Sequence, residues 1–166
     1  MSQHHGSYDE EKPPAKKAAG FQPSLKGRAL RLLSQREHSR HELERKLAPH
    51  EQAPGELAKA LNELQARDFI NDDRAIESVV HRRAGKWGAA RVKQELAAKG
   101  LSGEAVAEAL AGLRDTELSR AQEVWRKKFG CPPADPHERM RQIRFLITRG
   151  FAAEVVRRVV RGCEDE

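Results

Sequence analysis

The stretch LAKALNEL, residues 57–64, places Leu57, Leu61 and Leu64 at i, i+4 and i+7, which is one face of an α-helix. Forty-nine residues later VAEALAGL, residues 106–113, sets Val106, Leu110 and Leu113 at the same spacing. After another 50, VRRVVRGC repeats it with Val156, Val160 and Cys163. A second stripe lies upstream of each: Leu43 and Leu47, then Val92 and Leu96, then Gln142 and Leu146, again offset by 49 and 50. A third stripe precedes those, with Leu25, Ala29, Leu32 and Leu33, then Ile76, Val79 and Val80, then Ala121, Val124, Trp125 and Phe129. Recurrence at a fixed period is the signature of a repeat architecture. The pattern predicts an all-α protein of three tandem three-helix units over 24–70, 71–115 and 116–162. Units of about 45 residues bury too little surface to stand alone, so they lean on one another in an elongated, curved array. No stretch shows the alternation of a strand.

Capping signals fall at these boundaries. Ser39 with Glu42 forms a capping box, and Asp135-Pro136-His137-Glu138 reads the same way with proline at the first helical position. Ser102, followed by Glu104, is the expected cap of the third helix of unit two. Gly88, Gly100 and Gly150 stand where the chain reverses. Residues 1–23, rich in Pro, Gly, Ser, Lys and Glu without apolar periodicity, are expected to be a disordered arm. Residues 163–166 form a short acidic tail.

Composition narrows the class. The 166 residues are 34% charged, 38% hydrophobic and only 5% aromatic, so the cores rest on Leu, Val, Ile and Ala. Mean hydropathy is −0.78 and no apolar run approaches the length of a membrane span, so no membrane association is expected. Residues 1–23 lack the basic-then-apolar build of a secretory signal, and Cys131 and Cys163 are too few for a disulfide framework. A cytoplasmic protein is expected. The net charge of +6 favours polyanionic partners, either nucleic acid or an acidic protein surface.

Catalytic and metal chemistry find little support. Asp72 and Asp73 are adjacent, so on a helix they point about 100° apart, and they read as first-turn acids rather than a proton-sharing pair. His38 and His41 have a spacing that two metal ligands can use, but Ser39 between them reads as a cap and no cluster completes four ligands. That region reads as a solvated cap. There is no nucleophile elbow and no phosphate-binding glycine loop. No enzyme activity, cofactor or metal is expected.

Basic residues carry the stronger signal. In unit two Arg82, Arg83 and Lys86 close one helix, Arg91 and Lys93 open the next, and Trp87 lies in the turn between them. Five cations around one corner suit phosphates or carboxylates, although such placement also complements a helix C-terminus. Unit three carries Arg126, Lys127 and Lys128, then Arg139, Arg141, Arg144 and Arg149, then Arg157, Arg158 and Arg161. Met140, Ile143 and Ile147 are expected on the buried face of its middle helix, with the arginines outward. The candidate partner-binding surface is Arg82, Arg83, Lys86, Trp87, Arg91, Lys93, Arg126, Lys127, Lys128, Arg144 and Arg149.

Residues 69–101, FINDDRAIESVVHRRAGKWGAARVKQELAAKGL, resemble the signature of the RecX family, regulators of the recombinase RecA. Phe69, Ile70, Asn71, Asp72 and Arg74 match its first part, and Gly88, Arg91, Glu95, Leu96, Lys99 and Gly100 the remainder. Arg149-Gly150-Phe151 resembles the corresponding turn of the third unit. Ala75 and Val79 stand where the family usually has aromatics, with Trp87 nearby. The resemblance spans about 24–162. It implies a monomeric, non-enzymatic modulator that binds the RecA filament on single-stranded DNA and suppresses strand exchange, ATP hydrolysis and coprotease action. The residues alone leave a direct DNA-binding helical module open, and weak nucleic-acid contact is compatible with both.

Overall fold

The computed structural model describes residues 22–162. The greater part of the expected N-terminal arm, the acidic tail and Cys163 lie outside them. Among the described residues the regular structure is entirely helical: α1 (Leu25–Leu33), α2 (Arg40–Leu47), a 3-10 turn (Ala48–His50), α3 (Glu56–Ala66), α4 (Asp72–Arg83), α5 (Ala89–Ala98), α6 (Glu104–Asp115), α7 (Glu117–Lys128), α8 (Pro136–Thr148) and α9 (Ala153–Gly162).

Each set of three helices closes its own core from the predicted stripes. Leu25, Ala29, Leu43, Leu47, Leu57, Leu61, Leu64 and Ile70 form the first. The second gathers Ile76, Val79, Val92, Leu96, Leu101, Val106, Leu110 and Leu113. The third holds Ala121, Val124, Trp125, Leu146, Phe151, Val156, Val159 and Val160. Burial of each Leu, Val or Ile stabilises the unit by about 1.5–3 kcal/mol. Leu32, Leu33, Val80 and Phe129 sit at the core margins, half-buried.

Some expectations need correction. Ser102 does not cap α6; Gly103 does, at φ +95°, and it makes no side-chain cap bond. Met140 and Ile147 are not buried: they are 47% and 43% exposed, and Ile143 is only half-buried. α8 instead turns Gln142 and Leu146, both fully buried, into the core, in phase with Leu43/Leu47 and Val92/Leu96. A buried amide is tolerable here because Gln142 Oε1 accepts the Trp125 indole N–H at 2.8 Å.

The units are joined by one device used twice. The Ser39 hydroxyl, at the N-cap of α2, donates to the Lys99 carbonyl at the end of α5 at 2.5 Å. At the next joint the Gly88 amide, at the N-cap of α5, donates to the Arg149 carbonyl at the end of α8 at 2.8 Å, and Ala90 N–H reaches the Gly150 carbonyl at 3.3 Å. Ser39 and Gly88 stand 49 residues apart, Lys99 and Arg149 stand 50 apart, so the joints are themselves repeats. In both, the electropositive start of one helix meets the electronegative end of another, and the dipoles attract. Approach is so close at the second joint that a Cβ on Gly88 would fall inside the Gly150 backbone. Glu117, buried, accepts the Ala89 amide there at 2.9 Å, and Arg120 donates to the Ala84 and Trp87 carbonyls, each at 2.7 Å.

The first joint is also ionic. Glu42 completes the capping box with Ser39 and takes Arg36 at 2.8 Å and Lys99 at 2.6 Å. Burial pushes its carboxyl upward, but bonds from Arg36, Lys99 and the Ser39 amide hold it at about 2. His38, expected in a solvated cap, is instead buried. Its Nδ1 lies 3.0 Å from the Arg36 carbonyl and its Nε2 3.3 Å from Lys46 Nζ. Burial is the main reason its pKa falls below the usual histidine value. His41 remains exposed, so the two rings do not share a site.

Candidate functional site

The second joint brings α8 alongside the turn between α4 and α5. Lys86 N–H and Trp87 N–H both bond to the Arg83 carbonyl at 2.9 Å, and this tight turn holds the indole at the edge of unit two. Two guanidiniums stack on it, Arg83 at 4.4 Å and Arg91 at 4.7 Å from the ring centroid. Arg83 is also fixed by Glu95 at 2.7 Å. Arg91, on the exposed first turn of α5, spans the joint and donates to the Thr148 carbonyl at 3.4 Å. Stacking leaves the N–H edges of a guanidinium free for planar anions.

Trp87 and Arg91 form one wall of a cavity of about 480 Å³; Arg141, Arg144, Phe145, Thr148 and Arg149 of α8 and its following turn form the other. A second cavity of about 320 Å³ continues from it through the shared residues Phe145 and Arg149. Gly85, Lys86, Val124, Lys127 and Lys128 line its remainder. No acidic side chain lines either. The Arg149 guanidinium lies 4.4 Å over Phe145, and its Nε is buried without a hydrogen-bond partner. Unit three holds eleven Lys and Arg against five Asp and Glu over 116–162, an excess equal to the +6 of the whole chain. The result is one continuous cationic groove between units two and three. It can bind carboxylates or phosphates by charge-assisted bonds, strengthened by the partly apolar walls.

Of the residues singled out in the sequence, Lys86, Trp87, Arg91, Lys127, Lys128, Arg144 and Arg149 meet in this groove. Arg83 supports it from behind Trp87. Arg82 turns back onto the Ser78 carbonyl at 3.1 Å. Lys93 lies on the other side of α5, in a separate apolar recess with Leu101, Val106 and Arg114. Arg126 is ion-paired with Glu123. The five-cation corner is therefore divided across α5, because Arg91 and Lys93, two residues apart, point about 200° apart on that helix. Arg141 and Phe145 complete the groove, although neither belongs to the candidate surface read from the sequence. Phe145 follows core residue Gln142 by three positions, which places it on the flank of α8 facing unit two. Asp72 and Asp73 are exposed in the first turn of α4, behind the Asn71 cap. Among the described residues no three His, Cys, Asp or Glu side chains gather into a metal-holding group.

Three family models match the chain in series: the first three-helix domain of RecX over residues 26–64, the second over 71–110 and the third over 115–160. The chain belongs to the RecX family. The regulatory protein RecX of Leptothrix cholodnii is 54% identical over 145 residues, covering 87% of this chain and 92% of that one. That of Ralstonia nicotianae is 48% identical over 141 residues, covering 85% and 89%. Among solved structures, a regulatory protein RecX superposes with a TM-score of 0.68 at 22% identity, covering 86% of this chain and 72% of that one. RecX from Lactobacillus salivarius gives 0.65 at 21%, covering 86% and 96%. These likenesses establish the three-domain RecX fold and a regulatory role. No helix among the described residues is long and apolar enough to cross a membrane.

Proposed function

We propose that this RecX family member is a cytoplasmic, non-enzymatic regulator of RecA. It binds the RecA nucleoprotein filament on single-stranded DNA and inhibits its recombinase, ATPase and coprotease activities, acting in recombinational DNA repair and the SOS response. The observation that carries the reading is the cationic groove at the joint of units two and three. It is exposed, has no acidic side chain in its lining, although Glu123 pairs with Lys127 at its rim, and is built on rigid helices, as a docking site for a polyanionic assembly needs to be. Serial units let several weak contacts act together along a filament.

The test is RecA-dependent ATP hydrolysis on single-stranded DNA, titrated with the protein below stoichiometry. The wild type should inhibit. Neutralising three groove cations, Arg91→Gln with Lys128→Gln and Arg144→Gln, should weaken inhibition at least about tenfold, roughly 1.4 kcal/mol. Neutralising Arg82, Lys93 and Arg126 in the same way removes equal charge outside the groove and should change it by less than about threefold. Equal effects of the two triples would reduce the groove to general charge attraction. Tight binding to naked DNA without any effect on RecA would favour a direct DNA-binding module instead.

A further inference from the structure

The outer face of α8 is left over once the fold and the groove are accounted for. Taking 100° per residue, Gln142 and Leu146 define the core direction of this helix. Phe145, Arg141 and Thr148 lie on the flank that lines the groove. Arg144 points directly away from the core, and Met140 and Ile147, at i and i+7 to its i+4, lie within about 60° of it on the side away from the groove, with Ile143 at their margin. Met140 and Ile147 are two of the three large hydrophobic side chains exposed among the described residues. They lie one helical turn to either side of Arg144, which also lines the groove. An apolar stripe and a cationic groove therefore share an edge along one helix.

We propose that this stripe and groove form a single docking surface for an amphipathic, acidic segment of a partner protein. Its apolar side chains would lie on Met140 and Ile147, and its carboxylates would reach Arg141, Arg144 and Arg91. The charge of unit three selects an acidic occupant over a second copy of this cationic face. Protein rather than nucleic acid is selected by two features. Exposed Met and Ile add nothing to phosphate binding, whereas Met, Arg and aromatic residues together are the composition of a protein interface. The ring faces on which a strand would stack its bases are already covered, Trp87 by Arg83 and Arg91, and Phe145 by Arg149. The inference deepens the RecA reading above and rests on it for the identity of the partner, not for the chemistry of the surface.

The experiment compares the wild type, Met140→Ser with Ile147→Ser, and Arg141→Gln with Arg144→Gln. Binding to RecA filaments on single-stranded DNA and to the naked oligonucleotide is measured for each, with circular dichroism confirming the helical content. All four side chains are exposed or at the groove rim, so the variants should fold. Each double variant should lose at least about tenfold in filament affinity, the size expected when an interface anchor is removed. Full filament binding by the Met140/Ile147 variant would overturn the proposal, and loss of oligonucleotide binding in the arginine variant alone would assign the groove to nucleic acid instead. A wild-type dimer in sedimentation that the Met140/Ile147 variant abolishes would also overturn it, with a second copy as the occupant. If the wild type fails to bind the filament, the RecA reading falls, and a labelled acidic amphipathic helical peptide becomes the probe. Peptide binding that both variants weaken supports the surface; its absence overturns it.

Discussion

Gly150→Ala tests whether the second joint holds the array together. Gly150 sits at φ +83°, where alanine is strained by about 1–2 kcal/mol relative to glycine. Its new Cβ would also lie 2.5 Å from the Arg91 backbone nitrogen and 2.6 Å from the Arg91 Cβ. To relieve that clash α5 and α8 must separate, which forfeits the bonds from Gly88 N–H to Arg149 O and from Ala90 N–H to Gly150 O. Each is worth about 1 kcal/mol, so the total loss should be about 3–4 kcal/mol. Gly55→Ala provides the control: its φ is +85°, yet nothing lies within 4 Å of the position a Cβ would take. It should cost only the conformational part, about 1–2 kcal/mol. Denaturant unfolding of the two variants, followed by circular dichroism, measures the difference. The joint also aligns the groove walls, so Gly150→Ala should weaken RecA inhibition while Gly55→Ala leaves it intact. Equal stability losses for the two would refute the assignment of Gly150 to a tight joint.

Leu96, fully buried, should cost about 2–5 kcal/mol when truncated to alanine, and Leu61 at the matching first-unit core should respond within the same range in thermal or denaturant unfolding. Gln142→Leu should destabilise by about 1–3 kcal/mol despite its greater apolarity, because the Trp125 indole N–H loses its acceptor; Trp125→Phe in the same chain should recover part of that loss. The depressed pKa of Glu42 gives stability that is complete above its unfolded value of 4.5 and is lost as pH falls toward about 2, with a total of about 3 kcal/mol. Unfolding curves across that pH range should show the wild type converging on Glu42→Gln in acid, and parallel curves would contradict the network.

Much of this architecture was legible because a core stripe needs only the residues of its own helix. Leu57, Leu61 and Leu64, with their echoes 49 and about 100 residues later, settle helix identity and order without knowledge of contacts. The Ser39–Glu42 cap was legible for the same reason. α8 misled because its apolar residues form a cleaner stripe at Met140, Ile143 and Ile147 than at the true core positions. Gln142 earns burial only through Trp125, 17 residues away, which hydrophobicity cannot register. Yet the repeat offset that pairs Gln142 with Val92 already pointed to the right phase. The groove was half legible. Its arginines stand out in the chain, but the meeting of Arg91 with Arg144 and Phe145 depends on how two units dock, and Arg82 and Lys93 differ from Arg91 only in the side of a helix they occupy. His38 was misread because its partners are the Arg36 carbonyl and Lys46, whose approach depends on how the α1–α2 turn folds over α2.

The twice-used joint has a consequence for assembly. α8 feeds α5 and α5 feeds α2, each helix end meeting the next helix start, so the joint is directional and could in principle propagate without closing, the geometry that builds fibres. The two outer ends differ chemically from the inner joints. α2 runs into a 3-10 turn with Pro49 rather than into the Lys-Gly or Arg-Gly turn that the inner joints require. α8 begins one turn early, capped by Asp135 and led by Pro136, which has no N–H to offer. The halves presented at the two outer ends are therefore unlike those that pair within the chain, and the joint is specific to its two inner positions.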